Sequence, residues 1–424
     1  MVTKHEVQRG LIEDGFRAAG TPVGAGWSWT AGPVGTDGRP QPAEFLYRER
    51  HIVVREEFVD AVTELLTAEV RTRGKAKARV VARPVTHGVR LLRLPGSLPV
   101  VDALQLVAAK FGRGVATYDY VIALSQVITG WCAAREPWPR LRGTAPVPGP
   151  VDDADAGENV RVVILDNGID QATVNANDWL AGVVGDPDEE VVTDDSGNVR
   201  IHYAGGHGTV TAGLVRMMAP RADVRVVRAF PVAGAAFETD LVQQMEGILQ
   251  SSHPDVICLP AGTRAADATG LLAFATFLQN RLSLHAGVVV VAAAGNDGAN
   301  ESFWPATGPG TVTVGALTRD GSARAEFTNF GGWVDVYTVG DEVVNAFPTG
   351  RYTYSEPPRE GQEADFEGVA EWSGTSFSAA IVAGMIAARM WRDGLSGTDA
   401  AAALVDEAQD APVAGVGACL LPPS

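Results

Sequence analysis

The chain has 424 residues, of which 46% are hydrophobic and 20% are charged, a composition typical of globular proteins at a length that predicts two or three folding units. The formal net charge of -17 is unevenly distributed, because residues 1–150 hold 20 Lys and Arg against 14 Asp and Glu, whereas the remainder holds 14 against 37. The acidic remainder argues against nucleic-acid binding there, since phosphate contacts require clustered Lys or Arg. The opposite charges favour docking of the two parts of the chain, although two independently solvated surfaces fit the charges as well.

The amino-terminal part is predicted to be a lead followed by a small α+β domain. Residues 1–45 are rich in Gly, Pro and Ala and predict a loosely structured lead. Apolar periodicity then predicts, in chain order, a strand at 51–55, a helix at 57–70, strands within 78–94 broken near 87–88, a helix at 100–110 and a strand at 115–124. This order, β-α-β-β-α-β over residues 46–126, is typical of a ferredoxin-like domain.

A linker and a larger domain come next. Residues 127–158 contain five prolines between positions 137 and 150 and predict a Pro-rich linker. From residue 159 to residue 424, apolar strands alternate with helices. The strands are predicted at 160–165, 224–229, 256–259, 288–293 and 312–314, and the helices at 207–218, 239–251, 269–285 and 376–391. This alternation predicts an α/β domain of three layers with a mostly parallel central sheet.

Four polar residues stand where a parallel sheet binds ligands, at the carboxyl ends of strands or the starts of helices. Asp166 and Asn296 follow predicted strands, and His207 and Ser376 open predicted helices. Taken singly, each has an ordinary structural explanation as a turn former, a loop residue or a helix N-cap. Together they supply the carboxylate, imidazole, hydroxyl and amide donor required for nucleophilic acyl transfer.

The strings around these residues resemble a known family. They are Asp166-Asn167-Gly168, His207-Gly208-Thr209, Ala293-Ala294-Gly295-Asn296 and Gly374-Thr375-Ser376. In this order they are similar to the subtilisin-like serine proteases, the subtilase family, over roughly residue 159 to the end. The resemblance implies that Ser376 is the nucleophile, His207 the general base, Asp166 the residue that orients His207, and Asn296 an oxyanion donor beside the backbone amide of Ser376. It implies no metal and no cofactor for this chemistry.

The resemblance also implies where a peptide substrate binds. One wall of the first specificity pocket would be formed by Leu259, Pro260, Ala261 and Gly262, and the other by Ala293, Ala294 and Gly295. Pro260 stands where the family usually has a residue that can donate a backbone hydrogen bond, which changes the expected pairing with substrate. The small side chains fit an open, apolar pocket, and they equally fit a packed sheet edge.

Other features depart from the family pattern. Asn167 stands where Thr or Ser is common, and the helix from His207 lacks the inserted loop that carries a calcium site in many relatives. The acidic run 186–190 predicts a solvated loop rather than a calcium site. An insertion at about 351–371 precedes the nucleophile string and predicts either a rim over the site or a surface loop.

The resemblance also implies a role for the amino-terminal domain. Residues 46–126 are similar in element order to the propeptides of secreted subtilases, which occupy the substrate cleft until they are cut. The segment following the strand at 115–124 would supply the inhibitory tail, and the basic charge suits docking on the acidic domain. A separate targeting or partner-binding domain is the alternative.

The sequence therefore predicts a serine endopeptidase that hydrolyses peptide bonds of peptide or protein substrates through an acyl-enzyme. The alternatives are a catalytically idle binding or regulatory protein with the same fold, and an esterase or peptide ligase using the same residues. Three scattered cysteines, no apolar run of about 18 residues and a charged start predict a cytoplasmic protein without membrane contact, with an unrecognised route of export as the alternative. The excess of 30 Arg over 4 Lys is typical of a GC-rich bacterial genome.

Overall fold

The computed structural model describes residues 4–28, 43–73, 79–124 and 135–423. The strands are β1 (Val23–Ser28), β2 (Ala43–Arg55), β3 (Val81–Thr86), β4 (Val89–Arg93), β5 (Ala116–Leu124), β6 (Trp138–Pro139), β7 (Arg161–Asp166), β8 (Val184–Gly185), β9 (Val191–Thr193), β10 (Val199–Ile201), β11 (Asp223–Arg228), β12 (Ala235–Phe237), β13 (Val256–Leu259), β14 (Ala261–Gly262), β15 (Val289–Ala293), β16 (Thr311–Leu317), β17 (Val336–Val339), β18 (Val343–Thr353) and β19 (Glu363–Trp372). The helices are α1 (Lys4–Ala18), α2 (Val59–Thr72), α3 (Val100–Phe111), α4 (Gln171–Ala176), α5 (His207–Met218), α6 (Glu238–Ser251), α7 (Leu272–Asn280), α8 (Thr375–Asp393) and α9 (Gly397–Asp410).

The predicted β-α-β-β-α-β unit is present in the amino-terminal part. Its strands pair antiparallel in the spatial order β5-β2-β4-β3, with α2 and α3 as the two helices. Successive residues of β2 are buried on alternate faces, because Ile52 and Val54 pack with α2 and α3 whereas Val53 packs against α6 and α7 of the following domain. The sheet is therefore covered on both faces, on one by its own helices and on the other by the larger domain.

The lead over residues 1–45 is predicted to be loosely structured, and this prediction is wrong for residues 4–28. The structure has helix α1 there, followed by β1, which pairs antiparallel with β2. Ile12 and Phe16 of α1 are buried against Phe237 and neighbouring residues of β2, β5 and β12. The helix has Gly10 and Gly15 in its interior, which lowers its local helix propensity, so packing against distant strands stabilises it.

The predicted linker over 127–158 lies partly outside the described residues, as does the predicted inhibitory tail after Leu124. From residue 135 onward the linker packs on the larger domain. β6 pairs with β19, and Glu136 accepts hydrogen bonds from the Tyr352 hydroxyl at 2.9 Å and the Ser355 amide at 2.8 Å. This stretch is therefore part of the larger domain's surface.

The central sheet of the larger domain is parallel, in the order β17-β16-β15-β13-β7-β11-β8. Helices α5, α8 and α9 pack on one face, and α6 and α7 pack on the other. The prediction of a three-layer α/β domain is confirmed. Strand β17 is an additional edge strand that the apolar pattern does not predict.

The insertion at about 351–371, predicted to be a rim or a surface loop, comprises the end of β18, the turn that follows it and most of β19, in a long antiparallel hairpin. The hairpin forms a second sheet with β6, β10 and β9. In the described part of the chain, no helix is both long enough and apolar enough to span a membrane.

Candidate active site

The four polar residues singled out by the sequence lie at one edge of the parallel sheet. Strand β7 lies between β11 and β13 in the sheet. Helix α5 leads into β11 on one side of β7, and the chain then continues to β13 on the other side. Connections that leave neighbouring strands in opposite directions open a crevice at the carboxyl ends of those strands, where ligands bind in α/β sheets. Asp166 ends β7, and Pro260 directly follows β13.

Asp166 and His207 form a hydrogen-bonded pair. The Nδ1 atom of His207 lies 2.9 Å from both carboxylate oxygens of Asp166. The same carboxylate accepts from the Asn167 amide at 2.8 Å and from the Thr211 hydroxyl at 3.0 Å. Hydrogen bonds from His207, the Asn167 amide and Thr211 thus fix the position of the Asp166 carboxylate, and the carboxylate orients the imidazole ring. With Nδ1–H donating to Asp166, Nε2 is the nitrogen that carries the lone pair.

Thr211 is a site residue that the sequence reasoning missed, and the signal that could have found it is helical spacing. It stands four residues after His207 on α5, so both side chains lie on the same face of the helix. Gly208 has a steric role next to them. A Cβ at this position would collide with the carbonyl oxygen of Gly168, so only glycine lets the first turn of α5 approach the end of β7 so closely.

Ser376 is the second residue of α8, and its neighbour Phe377 packs against the imidazole of His207, with 5.3 Å between ring centroids. The serine hydroxyl donates to the carbonyl oxygen of Pro260 at 3.0 Å. The ring of Trp372 lies edge-on to His207 at 5.5 Å. The hydroxyl is therefore held at the end of β13, beside the carboxylate–imidazole pair.

Asn296 is fixed through its side-chain oxygen. Oδ1 of Asn296 accepts from the backbone amide and from the hydroxyl of Thr375, both at 2.9 Å. The Thr375 hydroxyl accepts in turn from the Gly295 amide at 3.1 Å. Since Oδ1 is bound to Thr375, the donor end of the amide is Nδ2, which lies 3.5 Å from the position a Cβ would take on Gly374. This directs an N–H group to the start of α8, next to Ser376.

A second buried carboxylate, Asp188, links the loops that carry Asp166 and His207. It accepts from the Gly206 amide at 2.7 Å and from the Asn167 side-chain amide at 3.3 Å. Asn167 also accepts from the Gly208 amide at 3.0 Å. The predicted solvated loop over 186–190 is therefore wrong for Asp188, which is buried and tied to the turn before α5.

Burial raises the pKa of Asp188 to about 7 from 3.8, with repulsion from Asp166 and Glu190 as a smaller contribution in the same direction. Hydrogen bonds from the Gly206 and Glu190 amides oppose this shift. The carboxyl group therefore titrates near neutral pH.

The structure places the residues of the two predicted pocket walls at the ends of the neighbouring strands β13 and β15. Leu259, Pro260, Ala261 and Gly262 run from the end of β13 through β14, and Ala293, Ala294 and Gly295 run from the end of β15 to Asn296. Pro260 contributes its carbonyl oxygen rather than a donor. The space between the walls holds the ring of Phe303, which the sequence reasoning did not single out.

One strand of the amino-terminal domain extends to this site. The end of β5 pairs antiparallel with β14, with Ala123 opposite Gly262 and Leu124 opposite Ala261, and on its other side it pairs antiparallel with β12. The four polar residues are buried, with exposed fractions of 0% for Asp166, 2% for His207, 1% for Ser376 and 3% for Asn296. β5 therefore lies in the cleft as a third strand between β12 and β14.

The described residues contain no group of three or more His, Cys, Asp or Glu side chains arranged to hold a metal ion.

Comparison with known proteins agrees with this architecture. The chain is 30% identical over 201 residues to subtilisin NAT of Bacillus subtilis subsp. natto, which covers 46% of this chain and 50% of that protein. It is 28% identical over 278 residues to subtilisin-like protease 1 of Trichophyton rubrum, covering 61% of this chain and 48% of that protein. The chain spans about half the length of these curated relatives.

A solved structure extends the likeness in fold. The crystal structure of fervidolysin from Fervidobacterium pennivorans, described as a keratinolytic enzyme related to subtilisin, matches with a TM-score of 0.58 and 18% identity, covering 89% of this chain and 60% of that one. This is more of the chain than residues 157–418 comprise, so the likeness reaches into the amino-terminal part. The predicted subtilisin-like fold is confirmed. The model of the subtilase family, Peptidase_S8, matches residues 157–418, and because this is more than half of the chain, the protein belongs to the subtilase family.

Proposed function

We propose that the protein is a serine endopeptidase in which Asp166, His207 and Ser376 act as a catalytic triad. The observation that carries this proposal is the hydrogen-bonded Asp166–His207 pair at the sheet edge where Ser376 opens α8. The Ser376 oxygen attacks the scissile carbonyl carbon while Nε2 of His207 takes the hydroxyl proton. The proton then passes to the leaving amine, the acyl ester on Ser376 remains, and water releases the acyl group by the same steps.

The Asp166 carboxylate supports this chemistry by holding His207 in the required tautomer and by stabilising the imidazolium that forms. The serine hydroxyl donates to the Pro260 carbonyl in the closed cleft. For proton transfer, this hydroxyl has to exchange the Pro260 oxygen for Nε2 of His207. In this proposal, the arrangement with β5 in the cleft is a resting form of the enzyme.

Asn296 supplies the oxyanion donor in this proposal. Thr375 holds Oδ1, so Nδ2 is presented at the amino-terminal end of α8. The backbone amide of Ser376 lies in the first turn of that helix, where amides have no acceptor within the helix. Two N–H groups would then stabilise the negative charge that develops on the carbonyl oxygen in the transition state.

The amino-terminal domain acts as an intramolecular inhibitor in this proposal. β5 takes the place of a substrate strand, because it pairs with β14 beside the nucleophile and with β12 on the opposite side of the cleft. The Asp119 carboxylate of β5 also accepts from the amide and hydroxyl of Thr239, at 3.1 and 3.0 Å, at the start of α6. A substrate has to displace this strand.

The test is covalent labelling with a fluorophosphonate, which reacts with an activated serine. We expect the wild type to be labelled and Ser376→Ala to be unlabelled while it retains the thermal unfolding transition of the wild type. The matched control is Ser378→Ala, on the same helix, whose hydroxyl donates to backbone carbonyls of β17. Undiminished labelling of Ser376→Ala would contradict the assignment. A wild type that stays both unlabelled and uncut after incubation at neutral pH would favour a catalytically idle binding protein.

A further inference from the structure

A phenylalanine ring fills the gap between the two pocket walls. A Cβ placed on Gly262 would lie 2.6 Å from Cδ1 of Phe303, and one placed on Gly295 would lie 2.8 Å from Cγ of the same ring. Both distances are shorter than any normal carbon–carbon contact. A side chain at position 262 or at position 295 would therefore collide with the ring. Phe303 is 2% exposed. The ring therefore lies between the wall that binds a substrate strand and the wall that leads to Asn296.

Phe303 is buried against the glycines of the two walls. In the part of the chain that the structure describes, it lies outside the four buried apolar clusters, as do other buried side chains such as Phe327 and Leu317. Its environment is therefore set by the glycines on both sides. An aromatic side chain that is buried outside the cores, between two glycines of a binding cleft, occupies space that a ligand group could otherwise fill.

The ring is held in place by its own backbone. The Phe303 amide donates to the Thr307 hydroxyl at 2.9 Å, and Trp304 exchanges two backbone hydrogen bonds with Thr263, at 2.8 and 2.7 Å. Thr263 directly follows Gly262, so the segment carrying the ring is paired to the first wall. The ring does not depend on a mobile loop for its position.

An ion cluster ties the second wall to the same segment. The guanidinium of Arg264 lies 3.0 Å from Glu301 and 3.4 Å from Asp297, and its side chain is 1% exposed. Arg264 continues the first wall, Asp297 follows the second, and Glu301 precedes Phe303 by two residues. One buried cation thus links all three segments around the ring, and this link opposes widening of the gap.

We propose that Phe303 determines specificity by closing the first pocket, so that the residue whose carbonyl is attacked has to be small: Gly, Ala or Ser. This inference rests on the proposed function, because it assumes that a substrate strand takes the place of β5 beside β14. In that register the substrate residue next to Ser376 directs its side chain between the Pro260–Gly262 wall and the Ala293–Gly295 wall, where the ring of Phe303 lies. A large side chain would have to displace that ring.

The test compares peptide substrates that differ only at the residue preceding the cut. The full-length protein is incubated at neutral pH, the active serine is titrated with fluorophosphonate, and kcat/KM is measured for matched chromogenic peptides with Ala or Phe at that position. We expect the wild type to prefer Ala by at least about ten-fold, as size exclusion in a rigid pocket provides. We expect Phe303→Ala to reduce or reverse this ratio by a similar factor.

Two controls keep the result interpretable. Phe330→Ala removes another phenylalanine, which stacks on Arg324, and it should leave the ratio unchanged. If Phe303→Ala gives no labelled enzyme, Phe303→Val serves in its place, and a ratio taken within one preparation does not depend on the folded fraction. A wild type that cleaves the Phe peptide as well as the Ala peptide, or a Phe303 variant with the wild-type ratio, overturns the inference. Absence of labelling and of any hydrolysis would instead contradict the proposed function.

Discussion

At the scale of single residues, the buried Asp188 carboxyl couples the active-site loops to pH. Its pKa in the folded protein is about 7, against 3.8 in the absence of burial. Between these two values the folded state binds a proton that the unfolded state does not bind. The free energy of unfolding therefore falls as the pH rises through this window, and the contribution of Asp188 levels off above about pH 7.

We expect Asp188→Asn, which cannot ionise, to lose this pH-dependent contribution to the free energy of unfolding. The free energy of unfolding of the variant should fall less steeply with pH than that of the parent, by a few kcal/mol at most across the window. Urea unfolding from about pH 4 to about pH 8 measures the difference, with both proteins carrying Ser376→Ala to prevent self-digestion. The control is Asp195→Asn at an exposed position of the neighbouring turn. Parallel curves for Asp188→Asn and its parent would contradict the prediction.

The sequence predicts the four polar residues of the site because each stands at a strand end or a helix start, positions that a local pattern reveals. Asp188 and Phe303 stand in irregular segments with no such pattern. The pKa of Asp188 depends on its burial beside Asn167, and the role proposed for Phe303 depends on two glycines in other segments of the chain. Roles that depend on long-range packing are not visible in a local pattern, and this is why an acidic run that contains a buried carboxyl still predicts a solvated loop.

At the scale of elements, helix α1 covers the strand that occupies the cleft. Phe16 packs on Phe237 of β12 with 4.4 Å between ring centroids, and Val121 of β5 belongs to the same buried cluster. At its other end, Gln8 donates to Glu356 at 2.7 Å, in the turn of the β18–β19 hairpin. The helix therefore connects β5, β12 and the hairpin and stabilises the closed cleft.

Phe16→Ala should weaken the packing of α1 on β5 and β12. Truncating a buried phenylalanine costs about 3–5 kcal/mol in a protein core. A ten-fold change in the fraction of molecules in which β5 has left the cleft requires only about 1.4 kcal/mol. We expect fluorophosphonate to label Ser376 at least about ten-fold faster in Phe16→Ala than in the wild type. Arg17→Ala, on the exposed side of the same helix, should react at the wild-type rate. Equal rates in all three proteins would show that α1 does not restrain the strand.

The elements of the small domain and of the parallel sheet could be predicted because their apolar periodicity is strong. Helix α5 begins and ends at the predicted residues, and α8 differs from its prediction by one residue at its start and two at its end. Helix α1 and the β18–β19 hairpin could not be predicted. Two glycines weaken the local signal of the helix, and the hairpin contains the prolines and acidic residues typical of a loop, so its pairing depends on β6 and β10 at its two edges.

At the scale of the whole molecule, the two parts of the chain share one apolar core. The amino-terminal sheet contributes Val53, Leu91 and Ile122 to the cluster that contains Met245 of α6 and Phe277 of α7. The charge difference between the two parts also appears in the interface, where Arg83 lies 3.2 Å from Asp240. Both partners of that pair are more than 40% exposed, so it contributes about 0–1 kcal/mol, and apolar burial with strand pairing holds the parts together.

If the proposed protease cuts its own chain, the junction between the two parts limits where it can do so. β5 ends at Leu124 in the cleft, and Glu136 is already bound to the β18–β19 hairpin. A cut between these two residues breaks the covalent connection between the domains. This position in the chain precedes the middle of the Pro-rich linker. Because the shared core and the strand pairing remain, the cut fragment should stay bound.

Intact mass and size-exclusion chromatography of the incubated wild type, with Ser376→Ala beside it, test both statements. We expect the wild type to give two masses, with the amino-terminal fragment ending between Leu124 and Glu136, and to elute as one species of the original size. Ser376→Ala should keep its full length, because the cut requires its own nucleophile. A fragment that separates on the column would show that the shared core alone does not retain the domain, and full-length masses for both proteins would contradict self-cleavage while leaving the labelling test of Ser376 to decide activity.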